Sequence, residues 1–255
     1  MPSAAAPLSR RDLEAGLRRL GLAAGMIVEV HSALSRFGWV DGGAEAVVDA
    51  LMAVVGPEGA FVMTAQPISK PLPLSEEERR RGIRAKARRY DEDYDGPTGM
   101  GAIADAFRGR PGAVLGPGFH RVCAWGRDAQ RLSRGYPELL ASDGWALLLG
   151  VDITRCSSMH QAERVGIPPE IRAFFTVPDD IRRHYPDDIF LAYGGTPRDA
   201  WLWVQDEAER RGLIRRGRIG QAECRLFRAA AVVGIYEHAL RTDPYTLFGV
   251  ERPEG

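Results

Sequence analysis

The chain is short of cysteine, carries no net charge and has no long apolar run, and each shortage closes off a class of function. Its three cysteines, Cys123, Cys156 and Cys224, are an odd and widely spread set. They offer no disulfide framework and no C-x-x-C metal signature. Lysine plus arginine and aspartate plus glutamate each number 34. That balance gives no global field for nucleic acid or for an acidic membrane surface. No apolar run approaches the roughly 20 residues that cross a bilayer. The opening Met1-Pro2-Ser3-Ala4-Ala5-Ala6 lacks the apolar core of a secretion signal and leads into Arg10-Arg11-Asp12. A cytoplasmic protein is expected. There is no internal repeat and no low-complexity linker, so the 255 residues are expected to form one domain, 1–255, with a substantial core.

What is present is an alternation of strand and helix. An amphipathic helix is expected over 9–20, with Ser9 and Asp12 at capping-box spacing. Met26-Ile27-Val28-Glu29-Val30-His31 reads as a strand with a polar end. Residues 44–55 read as a helix closed by Gly56-Pro57, and Ala60-Phe61-Val62-Met63-Thr64 as the next strand. Further strands are expected over 122–125, 147–151 and 189–193, and helices over 99–107, 200–211 and 222–241. Such alternation argues for an α/β fold, a central mixed sheet flanked by helices on both faces. Gly99-Met100-Gly101-Ala102-Ile103-Ala104 matches a dinucleotide fingerprint but follows an acidic loop instead of a strand, so that reading is rejected.

Residues 66–97 interrupt the alternation. They open with Pro67, Pro71 and Pro73, pass through Glu78-Arg79-Arg80-Arg81, and close on Tyr90-Asp91-Glu92-Asp93-Tyr94-Asp95. An insertion of this length in a compact domain is usually functional or mobile. It is expected on the substrate side, with the arginines between 79 and 89 facing solvent.

Polar residues gather where strands are expected to end, which is where open α/β folds bind ligands. His31-Ser32-Ala33-Leu34-Ser35-Arg36 follows the first strand. Its hydroxyls and backbone amides suit an extended polar ligand, and Arg36 suits a phosphate. The apolar run Trp145 to Val151 leads into Ser157-Ser158-Met159-His160-Gln161-Ala162-Glu163, read as a helix start with Ser157 or Ser158 as N-cap. His160 and Glu163 are three apart and can hydrogen-bond on one face. A histidine held by a carboxylate at such a turn is a candidate general base. The same spacing also serves a surface histidine satisfied by a neighbouring acid.

Taken in order, these segments resemble the aminoglycoside 3-N-acetyltransferases. The likeness is carried by His31-Ser32-Ala33-Leu34-Ser35-Arg36-Phe37-Gly38-Trp39-Val40-Asp41-Gly42-Gly43-Ala44, Phe61-Val62-Met63-Thr64, Thr98-Gly99-Met100-Gly101 and Leu147-Leu148-Leu149-Gly150-Val151. Met159-His160-Gln161-Ala162-Glu163, Gly217-Arg218-Ile219-Gly220-Gln221-Ala222 and Asp243-Pro244 extend it over nearly the whole chain.

The resemblance implies an α/β enzyme, unlike the small GNAT-type acetyltransferases. It would use acetyl-CoA as co-substrate, and no metal, to acetylate the 3-amino group of an aminoglycoside. His31, Ser32, Ala33, Leu34, Ser35 and Arg36 would line the CoA channel, joined by Thr98 and Gly99. His160 would take the proton of the attacking amine, and Glu163 would orient it. Ser157 or Ser158 would stabilise the oxyanion. The amine is mostly protonated at neutral pH, and imidazole titrates in the range needed to deprotonate it. A polycationic acceptor implies an acidic pocket. Asp91, Glu92, Asp93 and Asp95 are the densest acidic run, and Asp179-Asp180 and Asp187-Asp188 supply further carboxylates.

Three differences bear on the acceptor, the first being that the linker between Gly126 and Gly144 is short and lacks the family's serine-proline segment. His120-Arg121 stands where the family commonly has His-Pro, and the stretch 79–89 is basic beside a polycation site. Relatives of the family acylate other small amines, so an acyl transfer to such an amine is the alternative. Three further readings stay open. One is a metal-dependent hydrolase built on His31, His120, His160 and Glu163, although no HExxH or HxH pair supports it. Another is a cysteine acyltransferase with Cys156 as nucleophile and His160 as base. The third is a module that holds CoA without turnover.

Overall fold

The computed structural model describes residues 6–77, 85–89, 91, 93–94, 96–173, 176–193 and 197–253. Seven strands make the main sheet: β1 (Ile27–Ser32), β2 (Ala60–Thr64), β5 (Val114–Leu115), β6 (Val122–Gly126), β7 (Trp145–Leu149), β9 (Arg215–Ile219) and β10 (Ala222–Arg228). Their spatial order is β5-β6-β2-β1-β7-β10-β9. β1 runs parallel to β2 and β7, while β6 and β10 pair antiparallel to β2 and β7. The sheet is therefore mixed, with its parallel strands at the centre. A second sheet of three strands, β3 (Lys70–Pro71), β4 (Ala85–Arg89) and β8 (Ile189–Tyr193), is antiparallel in the order β3-β4-β8.

The central strands are apolar runs because helices cover both of their faces. Val28, Val30, Leu147 and Leu149 pack with Leu13, Leu17, Val47, Leu51 and Phe107 from the helices Arg10–Leu20, Gly43–Val55 and Ala102–Arg108. Residues of the other parity, Ile27, Ala146 and Leu148, pack with Trp201, Val204, Val232 and Tyr236 from the helices Arg198–Arg210 and Ala229–Thr242. Strand side chains alternate between faces. Glu29 and His31 share the parity of Ile27, so a carboxylate and an imidazole enter the second, apolar face.

Several expectations are corrected. The helix expected over 222–241 begins only at Ala229; Ala222–Arg228 is strand β10, which runs into the helix without a glycine or proline between them. The helix expected from 99 starts at Ala102. The segment Ser157–Val165 is 3₁₀-helical, and its N-cap is Cys156, with no side-chain cap bond; neither Ser157 nor Ser158 plays that part. The insertion contributes β3 and β4 to the small sheet, and residues 78–84, which hold Arg79, Arg80, Arg81 and Arg84, lie outside the described residues. Of the basic residues in β4, Lys86 and Arg89 are exposed but Arg88 is half-buried, so it does not follow the expected solvated face. Among the described residues no helix is long and apolar enough to cross a membrane.

Candidate active site

The ends of β1, β2 and β7 open on a cavity of about 700 Å³. His31, Thr64 and Ser157 lie along it, together with Ser32, Ala33 and Gly99. Leu34, Ser35 and Thr98, expected beside them, do not line it. Thr98 is buried and instead fixes the chain nearby, its N–H donating to Asp105 at 2.6 Å and its hydroxyl accepting from Met100 N–H at 3.2 Å. The loop after β1 can lie close because Gly150 ends β7 at φ +73°; a Cβ there would fall 2.5 Å from Arg36 Cβ.

The cavity is basic. Arg36, Arg155, Arg198 and Arg225 face Asp152 and Glu223. Arg225 is held by Glu209 and Glu223 at 3.4 and 3.7 Å, and Arg198 approaches Asp152 only to 4.0 Å. Arg36 and Arg155 have no carboxylate at salt-bridge distance among the described residues.

A buried polar network forms its floor. Glu29 is fully buried, and its Oε1 contacts His31 Nε2 and accepts from Ser158 N–H at 3.0 Å. Its Oε2 is buried and has no hydrogen-bond partner among the described residues. Ser157 N–H lies 3.2 Å from His31 Nε2. The Ser157 hydroxyl bonds Thr64 Oγ1 at 3.0 Å, and Thr64 in turn bonds the Tyr136 hydroxyl. Burial, and then the Glu29 carboxylate, push the Tyr136 phenol and the Cys156 thiol well above their usual ranges. Glu29 and Tyr136 were not expected here. The signal for Glu29 was a carboxylate inside an apolar strand, two residues from a histidine.

His160 stands one 3₁₀ turn beyond Ser157, and Glu163 one turn further. Residues three apart eclipse in a 3₁₀ helix, so the three side chains share one edge. His160 Nδ1 meets Glu163 Oε2 at 2.9 Å, and Glu163 Oε1 accepts from the Tyr236 hydroxyl at 3.3 Å. Trp201 packs against the imidazole, ring centroids 4.8 Å apart. The His160 side chain is 50% exposed. With Nδ1 committed to the carboxylate, Nε2 is the nitrogen left to exchange a proton.

The other expected residues are dispersed. Ser158 is fully buried beside Cys156, at 3.4 Å, so only Ser157 of the pair borders the cavity. Cys156 is itself fully buried with its thiol held protonated, which is the unreactive form. Asp91 and Asp93 are exposed and bond within their own turn at 3.0 Å. Asp179 and Asp180 are exposed in the first turn of a short helix, where acids suit the dipole. Glu92 and Asp95 lie outside the described residues. The four histidine and glutamate positions weighed for a metal do not converge. Glu29, His31 and Cys156 offer ligand atoms within 4.8 Å of one another; the hydrogen bonds above engage Glu29 Oε1 and the imidazole, and burial holds the Cys156 thiol in its protonated form.

The family model described as aminoglycoside 3-N-acetyltransferase matches residues 30–241. The chain belongs to that family. It is 30% identical to the SPbeta prophage-derived aminoglycoside N(3')-acetyltransferase-like protein YokD of Bacillus subtilis (strain 168), over 91% of this chain and 92% of that one. It is 29% identical to aminoglycoside N(3)-acetyltransferase III of Acinetobacter baumannii, over 88% of each. Among solved structures, the binary complex of AAC-IIIb with CoASH superposes with a TM-score of 0.69 at 22% identity, covering 97% of this chain and all of the other, 100%. The mixed sheet with its small satellite sheet is thus the fold of this family.

Proposed function

We propose that the protein transfers the acetyl group of acetyl-CoA to an amine by direct attack, with His160 as base. The observation that carries this is the shared 3₁₀ edge. Ser157 borders the basic cavity, and His160, held by Glu163, stands one turn away. Arg36, Arg155 and Arg198 would take the CoA phosphates, as guanidinium forks do. His160 Nε2 removes a proton from the ammonium, and Glu163 stabilises the imidazolium that results. The amine lone pair forms the new N–C bond and the C–S bond breaks; the imidazolium proton goes to the leaving thiolate, and the freed imidazole takes the second N–H proton and passes it to solvent, so that amide, CoA thiol and one proton result. The Ser157 hydroxyl donates to the carbonyl oxygen as negative charge develops there.

The relatives' names make the 3-amino group of an aminoglycoside the first acceptor to test. Asp91, Glu92, Asp93, Asp95, Asp179 and Asp180 are the carboxylates proposed to meet its ammonium groups. A second reading, transfer to another small amine, is favoured by one observation: a cation, Arg88, is half-buried in β4. The experiment is to incubate the protein with acetyl-CoA and a panel of aminoglycosides, follow free thiol, and weigh the intact protein after acetyl-CoA alone. Acceptor-dependent thiol release with no mass gain is expected. An acetyl group retained on Cys156 or Ser157 would replace direct transfer with an acyl-enzyme route.

A further inference from the structure

Gln66, Arg88 and His120 lie at the edge of the main sheet that faces the turn carrying the proposed base, and have no part in the acetyl transfer described above. β2 pairs with β6 so that Thr64 faces Val122. One step further on the same face come Gln66 and His120, with Nε2 and Nδ1 2.9 Å apart. Thr64 is bonded to Ser157, so this edge of the sheet runs alongside the turn that carries His160. Arg88 reaches in from β4 and donates to Gln66 Oε1. Its guanidinium sits 5.3 Å over the Phe190 ring, and His120 meets the same ring edge-on at 4.8 Å.

The bond directions follow from the donors available. A guanidinium only donates, so Gln66 turns its oxygen to Arg88 and its amide NH₂ to His120. His120 Nδ1 must then accept, which puts the imidazole proton on Nε2. Both ends of the chain are donors. Among the described residues Arg88 has no carboxylate at salt-bridge distance, and its buried Nε has no hydrogen-bond partner. Burial pulls the Arg88 guanidinium below its usual range. Burial first, then the charges of Arg88 and His160, pull His120 down too. A half-buried cation with no counter-ion among the described residues is costly, and a polycationic acceptor would add more charge of the same sign.

We propose that Arg88, Gln66 and His120 form a subsite for an anionic group, carboxylate or phosphoryl, carried by the acceptor amine. Arg88 pairs with the anion, His120 Nε2–H donates to it, and Gln66 holds both in place. An anion there also offsets the charge His160 gains when it takes the amine proton. The proposal rests on the acetyl-transfer reading of His160 and narrows its acceptor to a small amine that bears an anion.

The test uses the full chain and acceptors matched in their amine. 2-Aminoethyl phosphate is compared with ethanolamine, 4-aminobutyrate with 4-aminobutanamide, and gentamicin serves as the polycation. The anionic member of a pair is expected to be favoured in kcat/KM by about tenfold or more, the worth of a charge-assisted hydrogen bond. Arg88→Gln should erase that preference while the KM for acetyl-CoA stays put. Arg88→Lys, which keeps the charge, should retain part of it, which separates lost charge from a damaged fold. The two anionic arms tell a phosphoryl-bearing acceptor from a carboxylate-bearing one. An equal preference in wild type and Arg88→Gln, or gentamicin favoured over both anions, overturns the subsite. A separate arm titrates inorganic phosphate, read by tryptophan fluorescence, with CoA saturating so that the larger basic cavity is filled. Binding that weakens about tenfold in Arg88→Gln supports the subsite, and binding unchanged by the substitution overturns it. Absence of thiol release with every amine counts against acetyl transfer alone, and the subsite then stands or falls on the phosphate titration.

Discussion

The cavity at the ends of β1, β2 and β7 is walled by the main sheet, whereas the small sheet β3-β4-β8 rests on two buried side chains, Leu72 and Leu191. At the cavity floor, Glu29 holds His31, and Thr64 links the hydroxyls of Tyr136 and Ser157. On the small sheet, charges stand on exposed strands and turns, with the pair Arg89–Asp188 at 3.5 Å between exposed side chains. Under the proposed function, the first region meets a co-substrate that never changes and the second meets the acceptor. A fixed ligand can be served by rigid elements. A variable one is better served by a lightly packed unit whose residues change at little cost to the core.

The sharpest way to break this contrast is to cut the floor. Glu29→Ala leaves the His31 ring and the Ser158 N–H without their buried acceptor, and should cost about 3 kcal/mol of global stability. Urea unfolding measures it, and a loss near zero would show that the floor is not rigidly built. Next is Leu191→Ala in the small sheet, which removes about 2 kcal/mol of packing. That loss should stay local. Amide exchange should quicken in β4 and β8 while the global urea midpoint barely moves. A midpoint shift as large as that of Glu29→Ala would merge the two regions into one cooperative unit.

The smallest effect concerns His120. The residue is exposed as a whole, but packing around its ring, and then the charge of Arg88, hold the folded imidazole below the ordinary range. As the pH falls through about 6.5 the unfolded chain takes up that proton first. The folded state therefore loses stability between that point and the lower folded value. His120→Gln should flatten the decline over this window, seen as a smaller drop in thermal midpoint between neutral and mildly acidic pH. An identical slope in both proteins would mean that His120 protonates freely in the fold.

Much of the main sheet was legible, because β1, β2 and β7 are short apolar runs separated by helical periodicity. β9 was not, since Arg215, Arg216 and Arg218 mark it as loop; such charges are how an edge strand guards its open side. β10 was read as helix because Leu226, Ala230 and Val233 fit a helical period, and no breaker marks the junction at Ala229. The His160–Glu163 contact could be read from spacing. The burial of Glu29 could not, because parity shows a residue's face only once the neighbouring strands are known. Arg88 was hidden for a similar reason. A run of arginines reads as solvated, and only its pairing opposite Phe190 in β8 turns one of them inward.

The central claim is that His160, and not a covalent intermediate, drives the transfer. It is tested by comparing wild type with His160→Ala for acceptor-dependent thiol release and for acetyl-CoA binding by calorimetry. The account predicts a fall in kcat of about 100- to 10,000-fold with acetyl-CoA affinity nearly unchanged. Full turnover by His160→Ala at neutral pH would contradict it.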